Sequence, residues 1–269
     1  MPKSLDMLKE VLCFDLKSFL NNRRWWYRLE PFPHFCASNV FVPEFYHSLE
    51  VALREILARE LSEQHDPDRF SRNMLYSDAY SWNFPPQLSG ALGIFYSREW
   101  HDLLATLTQV KATGDVTGSL HHHHVGSQNG SVHNDLNVSW FSTQRREDGI
   151  NPMDLQRCRY TDGYSYEAGV ETRETIRAVT MIYYFGNPPY MPGNGGETGL
   201  YSTTDEPVDQ PAALIPPINN SILLFENTPY AYHSFIRNRC HTRNSAILWL
   251  HRSKEEGVKH WGQHRISQW

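Results

Sequence analysis

His133 and Asp135 stand two residues apart in SVHNDLNVSW, a run whose texture predicts a strand. Side chains alternate faces in an extended chain, so these two would project together while Asn134 turns away. An imidazole beside a carboxylate is half a metal site. A fold of short strands brings distant segments together, and the missing donor is expected downstream at His233, which follows the apolar run SILLF at 221–225 and precedes SAILWL at 245–250. Two histidines and one carboxylate gripping one side of an octahedral ferrous ion leave three positions open, room for a chelating cosubstrate and O2. Beyond His233 comes Arg243, with Ser245 at the next position on the same face of an extended chain. A guanidinium clasps a carboxylate through two parallel charge-assisted hydrogen bonds and a hydroxyl adds a third, so Arg243-x-Ser245 reads as a pocket for the tail of a dicarboxylate.

Each residue taken alone has a plainer reading. An isolated His-x-Asp is more often a surface or hydrogen-bonding pair, His233 a histidine satisfied by backbone, and Arg243 a surface ion pair. Their order along one chain favours the joint reading. The four consecutive histidines at 121–124 split between strand faces, His121 with His123 and His122 with His124; one face is expected to line the cavity near the metal and the other to meet solvent or a helix. His122 and His124 are candidates for contact with substrate, as is Trp140, whose alternative role is core packing.

These residues need a scaffold. With 269 residues, 40% hydrophobic and 20% charged, the chain is long enough for one well-buried globular domain. The expected layout is an N-terminal helical segment at 1–30, a core at 31–250 and a C-terminal tail at 251–269. The net charge of −5 and scattered Lys and Arg argue against nucleic-acid capture. Cys13, Cys36, Cys158 and Cys240 show no CxxC spacing, which fits reduced thiols and a cytoplasmic location. The charged first twenty residues do not read as a signal peptide, and no run of about 18 apolar residues offers a membrane span. Apolar spacing predicts helices at 4–21, 43–63 and 98–110, and from about 115 onward short β-rich runs predict a sandwich or barrel. The polar, aromatic-dotted stretch 142–175 reads as a long insertion of the kind that forms lids.

Taken in order, the motifs resemble those of the iron(II)/2-oxoglutarate-dependent dioxygenase superfamily, prolyl-4-hydroxylase-like branch. PHFCASNVFVPEFYHSLEVAL at 33–53 is similar to that branch's opening strand and helix; His133-x-Asp135, MIYYF at 181–185, GGETGLY at 195–201, His233 and Arg243-x-Ser245 follow. The resemblance implies a mainly β fold with flanking helices (α+β), built on a double-stranded β-helix, or jelly-roll, core. It implies Fe(II) on His133, Asp135 and His233, with 2-oxoglutarate as cosubstrate and its far carboxylate on Arg243, Ser245 and Tyr184. Tyr183 would face the core, and Gly195–Gly196 would form a turn before the next strand.

The implied reaction couples conversion of 2-oxoglutarate and O2 into succinate and CO2 to oxidation of a C–H bond, with ascorbate as reductant. Hydroxylation is the default and desaturation or ring formation the variants; Asp135 stands where halogenating relatives carry a small residue. The favoured substrate is a small metabolite of natural-product or amino-acid-derived biosynthesis. A hydroxylase of prolyl or other residues in a protein, and a non-catalytic metal-binding or sensing jelly-roll, are the alternatives; monomer and homodimer both fit. Tyr183 follows Asp135 by 48 positions, more than the family usually has, so 142–175 is expected to govern substrate selection.

Overall fold

The computed structural model describes residues 14–72 and 79–267. The helix expected at 4–21 therefore lies mostly outside the described residues, with α1 (Leu16–Phe19) inside them. The first half of the chain contributes β1 (Trp26–Arg28), β2 (His34–Ser38), α2 (Pro43–Leu57), β3 (Ser71–Arg72), β4 (Ala79–Asn83) and α3 (Arg98–Thr108). Strands β5 (Asp115–His123), β6 (Val138–Ser142), β7 (Asn151–Pro152), β8 (Thr172–Tyr184), β9 (Thr198–Tyr201), β10 (Ala213–Ile215), β11 (Ser221–Glu226), β12 (Tyr232–Phe235) and β13 (Arg243–Ser253) follow, and α4 (Lys254–Trp261) closes the chain.

α2 begins with Pro43, whose missing N–H costs nothing in a first turn, and buries Phe45, Leu49, Leu53 and Ile56 at helical spacing. It stops at Leu57, six residues short of the expected end, because the backbone reverses at Glu60 (φ 64°) and Ser62 then bonds Phe70. α3 matches its expected span closely, capped by the Ser97 hydroxyl and ended by Gln109 in the left-handed conformation.

Among the described residues the large sheet runs β1-β2-β11-β8-β13-β5-β4-β3, with β6 on β8 and β7 on β5, and a second sheet runs β10-β9-β12. Ser221–Phe225 of β11 is buried throughout because both faces of its sheet are covered. On the outer face the helices pack over Tyr183, Leu224, Ala246 and Leu248; on the inner face Ile182, Tyr184, Leu223 and Phe225 meet Leu200 of the small sheet. The jelly-roll expectation holds, and Tyr183 turns to the outer core while Tyr184 faces in. Gly195 and Gly196, both at positive φ, form the expected turn before β9; a Cβ at Gly195 would collide with the Arg237 backbone.

Two expected segments differ. The stretch 142–175 is no free flap: β7 pairs with β5, and Asn151 bonds both the Ser142 carbonyl (2.8 Å) and Asp115 (2.7 Å). Asp115, fully buried, also accepts from Thr113 and from the Arg173 guanidinium, pinning both ends of the segment. The stretch after 250 is no tail: β13 continues to Ser253, α4 follows, and Ser267 exchanges backbone hydrogen bonds with Leu136 and Val138. Among the described residues no helix is long and apolar enough to cross a membrane, and Cys36, Cys158 and Cys240 are free. Asp115→Ala would leave Arg173 and Asn151 without their shared acceptor, and the expected cost is about 3–5 kcal/mol in urea unfolding. A loss under about 1 kcal/mol would mean the anchor is idle.

Candidate metal centre

His133 lies outside any strand proper, contrary to the expectation of a continuous run, yet its backbone is fixed. His133 and His233 form an antiparallel bridge, N–H to carbonyl in both directions at 3.1 and 2.8 Å, which appends the His-x-Asp segment to the edge of β12. Two residues a hundred positions apart are thereby held with ring centroids 4.5 Å from each other. Asp135 completes the group, and one donor atom from each of the three lies within 4.8 Å of the others.

Hydrogen bonds behind the donors decide which atoms face inward. His133 Nδ1–H donates to the Ser131 carbonyl at 2.8 Å and His233 Nδ1–H to the Ala231 carbonyl at 3.3 Å. Both rings thus keep an Nε2 lone pair for a metal, and these nitrogens lie 3.7 and 3.5 Å from the Asp135 carboxylate. Asp135 Oδ2 accepts from Trp249 Nε1–H (2.7 Å) and Thr180 Oγ1–H (2.9 Å), while Oδ1 faces Arg177 at 3.6 Å. Burial alone would raise the Asp135 carboxyl, but the adjoining His233 imidazole and the Arg177 guanidinium hold it well below the usual range. An ionised carboxylate and two neutral imidazoles are the donor set that a divalent first-row metal takes, and the side chain of His133, 48% exposed, marks the open side.

Deeper in, Arg243 is 4% exposed, and among the described residues no carboxylate meets it. Its Nη2 donates to Thr198 Oγ1 at 3.3 Å, its Nε–H has no partner, and it lies between the Tyr184 and Phe235 rings at 5.2 and 5.3 Å. Tyr184 shares a 2.6 Å hydrogen bond with Thr198, and the buried Ser245 hydroxyl is also unpartnered. A buried cation with a spare donor beside three hydroxyls is built for an anion that enters from outside the chain.

The strand register shows which candidate residues share the inner face with Arg243. Opposite residues in an antiparallel pair share a face, and Arg243 pairs with His123 while Ser245 pairs with His121 and Tyr184. His121 and His123 therefore belong to the inner face. The substrate assignment of His122 and His124 fails for the same reason: His122 bonds Asn244 and packs on Phe70, and His124 packs on Tyr80, all on the outer side. Trp140 also does not face the metal group; it packs with the cluster of Leu136, Val138 and Ile176 under Gly163. The sequence reading missed Thr198, Thr180, Trp249 and Arg177. Counting by twos from Tyr184 and Ser245 reaches Thr180 and Trp249, but Arg177 lies past a register shift at Leu250/His251 that parity does not reveal.

Residues 155–251 match the family model of the 2OG-Fe(II) oxygenase superfamily, a span that includes His233 and Arg243 and begins after Asp135. A Trichoplax adhaerens prolyl hydroxylase in complex with a hypoxia inducible factor oxygen degradation domain peptide fragment superposes with a TM-score of 0.51 at 17% identity, covering 84% of this chain and 86% of that one. A Pseudomonas putida prolyl-4-hydroxylase gives 0.48 at 13% identity (83% and 95% covered). HygX from Streptomyces hygroscopicus with nickel and 2-oxoglutarate bound gives 0.45 at 13% (82% and 83% covered). No curated protein matches the sequence.

Proposed function

We infer, from the match of residues 155–251 to the 2OG-Fe(II) oxygenase family model and from the donor set described above, that this protein is an enzyme that oxidises an unactivated C–H bond of a small metabolite, hydroxylation being the default outcome. The observation that carries the reading is one inner sheet face carrying both an open two-histidine, one-carboxylate donor set, held through Thr180 and Trp249, and a buried guanidinium with unused donors. His133, Asp135 and His233 would hold Fe(II), and Arg243, Thr198, Tyr184 and Ser245 the far carboxylate of 2-oxoglutarate. Together iron and cosubstrate supply an O2-dependent oxidant, with succinate and CO2 as coproducts.

The chain's own residues aim and shield that chemistry. Ser131 and Ala231 fix the histidine tautomers through their carbonyls. Trp249 and Thr180 occupy Asp135 Oδ2, which leaves Oδ1 as the freer oxygen for a metal. Ile182 and Ile247, paired across β8 and β13, lie between the Asp135 supports and the Arg243 end and keep water from the intervening surface.

Arg243→Ala should raise the 2-oxoglutarate requirement by about a hundredfold, two charge-assisted bonds of about 1.5 kcal/mol each being lost. An unchanged requirement in steady-state kinetics would remove Arg243 from the clasp. Succinate release by the purified protein, with Fe(II), 2-oxoglutarate and O2 omitted in turn, tests the reaction class; release independent of iron overturns it. Adding candidate metabolites against a prolyl peptide tests the substrate, and stimulation by the peptide alone would favour protein hydroxylation.

A further inference from the structure

β1 ends the large sheet, and among the described residues no strand pairs with its outer edge. Its backbone is matched on one side alone, with Trp26 opposite Cys36, Tyr27 opposite Phe35 and Arg28 opposite His34, so alternate N–H and C=O groups along it face outward with no ladder to join. Large apolar side chains crowd this edge. Trp26 is 73%, Leu29 64% and Tyr27 55% exposed, although Tyr27 keeps a ring contact with Phe35 at 4.7 Å. Arg24, Arg28 and Glu30 are exposed too, and among the described residues no ion pair or side-chain hydrogen bond engages them. Charge and brevity are the usual means of keeping a free edge single, but an indole left in water beside them works the other way and marks a contact surface.

The order of these residues says what covers them. Laid antiparallel on a second copy about a two-fold axis at Tyr27, the stretch 24–30 matches itself: Arg24 faces the partner's Glu30, Trp26 faces the partner's Arg28, and Tyr27 meets its own copy. The axis repeats each pair, so one seam joins opposite charges at both ends and sets a guanidinium against an indole on either side of its centre. Neighbouring registers fail. A two-fold normal to the sheet keeps each side chain on its own face, which restricts the axis to a residue position. Centring it on Trp26 sets Arg24 against the partner's Arg28, and centring it on Arg28 sets that arginine against its own copy, both of them like-charge contacts.

We propose that the β1 edge is a self-association site, where a second copy of this chain adds its own β1 antiparallel in the register centred on Tyr27 and joins the two large sheets into one. Trp26, Tyr27, Leu29 and the stems of Arg24 and Arg28 from both copies would bury about 1,000 Å² in all, the low end for a specific interface, so the dimer is a reversible one that dissociates at about 10 μM. The proposal stands apart from the oxygenase reading, since β2 and β11 separate β1 from β8.

The test is sedimentation velocity on the full chain from about 1 to 100 μM at low ionic strength, where exposed charges are least screened. The wild type should pass from monomer to dimer across that range. Arg24→Glu sets carboxylate against carboxylate at both ends of the seam and Glu30→Arg sets guanidinium against guanidinium, and each change alone should weaken association about tenfold. An equimolar mixture of the two variants should recover the wild-type dimer, because every carboxylate then meets a guanidinium, and so should a chain carrying both changes; that recovery also shows that the variants are folded. Trp26→Ser should leave a monomer at about 100 μM. A wild type that stays monomeric throughout overturns the proposal, and its co-sedimentation with phosphatidylserine vesicles instead would make the strip a membrane contact. A dimer that Trp26→Ser leaves intact, or a mixture of the two charge variants that associates no better than either alone, overturns it as well.

Discussion

His233→Ala, or His133→Ala, should lower iron-dependent succinate formation to the level of an enzyme-free control. The expected loss of metal affinity exceeds about a hundredfold, because losing only the hydrogen-bond partner of a ligand already costs about 10–100-fold. Mn(II) titration by electron paramagnetic resonance, run beside the activity assay, separates lost metal from lost chemistry. A variant that binds Mn(II) and forms succinate as the wild type does would take that histidine out of the centre.

Acidification gives the second large effect, and it falls on stability. Burial holds His123 and His251 well below the ordinary histidine value of 6.5 and His121 near 3. The unfolded chain takes up protons near that ordinary value while the folded chain does not, so the stability these groups contribute is complete above it and drains away as pH falls toward the folded values. Each withdraws up to about 1.4 kcal/mol per pH unit, and the three together about 4. At pH 5.0 the metal-free protein should therefore be less stable than at pH 7.5, by at most about 6 kcal/mol, and unfold at a lower Tm. Carboxylates such as Asp135, already depressed, add their losses only in stronger acid. Calorimetric scans in chelator at the two pH values check this, and equal Tm values would mean that the three imidazoles are hydrated in solution.

The sequence exposed most of this architecture where one periodicity ruled a whole element. Pro43 with Phe45, Leu49 and Leu53 marks α2, and the paired tyrosines of MIYYF go to opposite faces as alternation requires. The donors His133, Asp135 and His233 were legible because their types admit few joint roles, and the structure brings them together. What stayed hidden depends on register and on contacts between remote segments. Nothing local tells which pair of the four histidines faces inward; that follows from Arg243 lying opposite His123. Arg177 reaches Asp135 only through the bulge, and the fixed position of 142–171 depends on Asp115 and Arg173, 58 residues apart. Trp140 reads equally well as a pocket wall or as packing until Gly163 is seen lying over it.

If the proposed centre binds its ion, the reciprocal backbone bonds between His133 and His233 set the terms on which that ion is acquired. Because the main chain itself spaces the two rings, the cage exists before its occupant arrives, and chelation strips the ion without dissolving the sheet. Uptake then resembles a key entering a cut lock: little heat-capacity change, rapid exchange, and metal identity governed by supply and donor chemistry rather than by refolding.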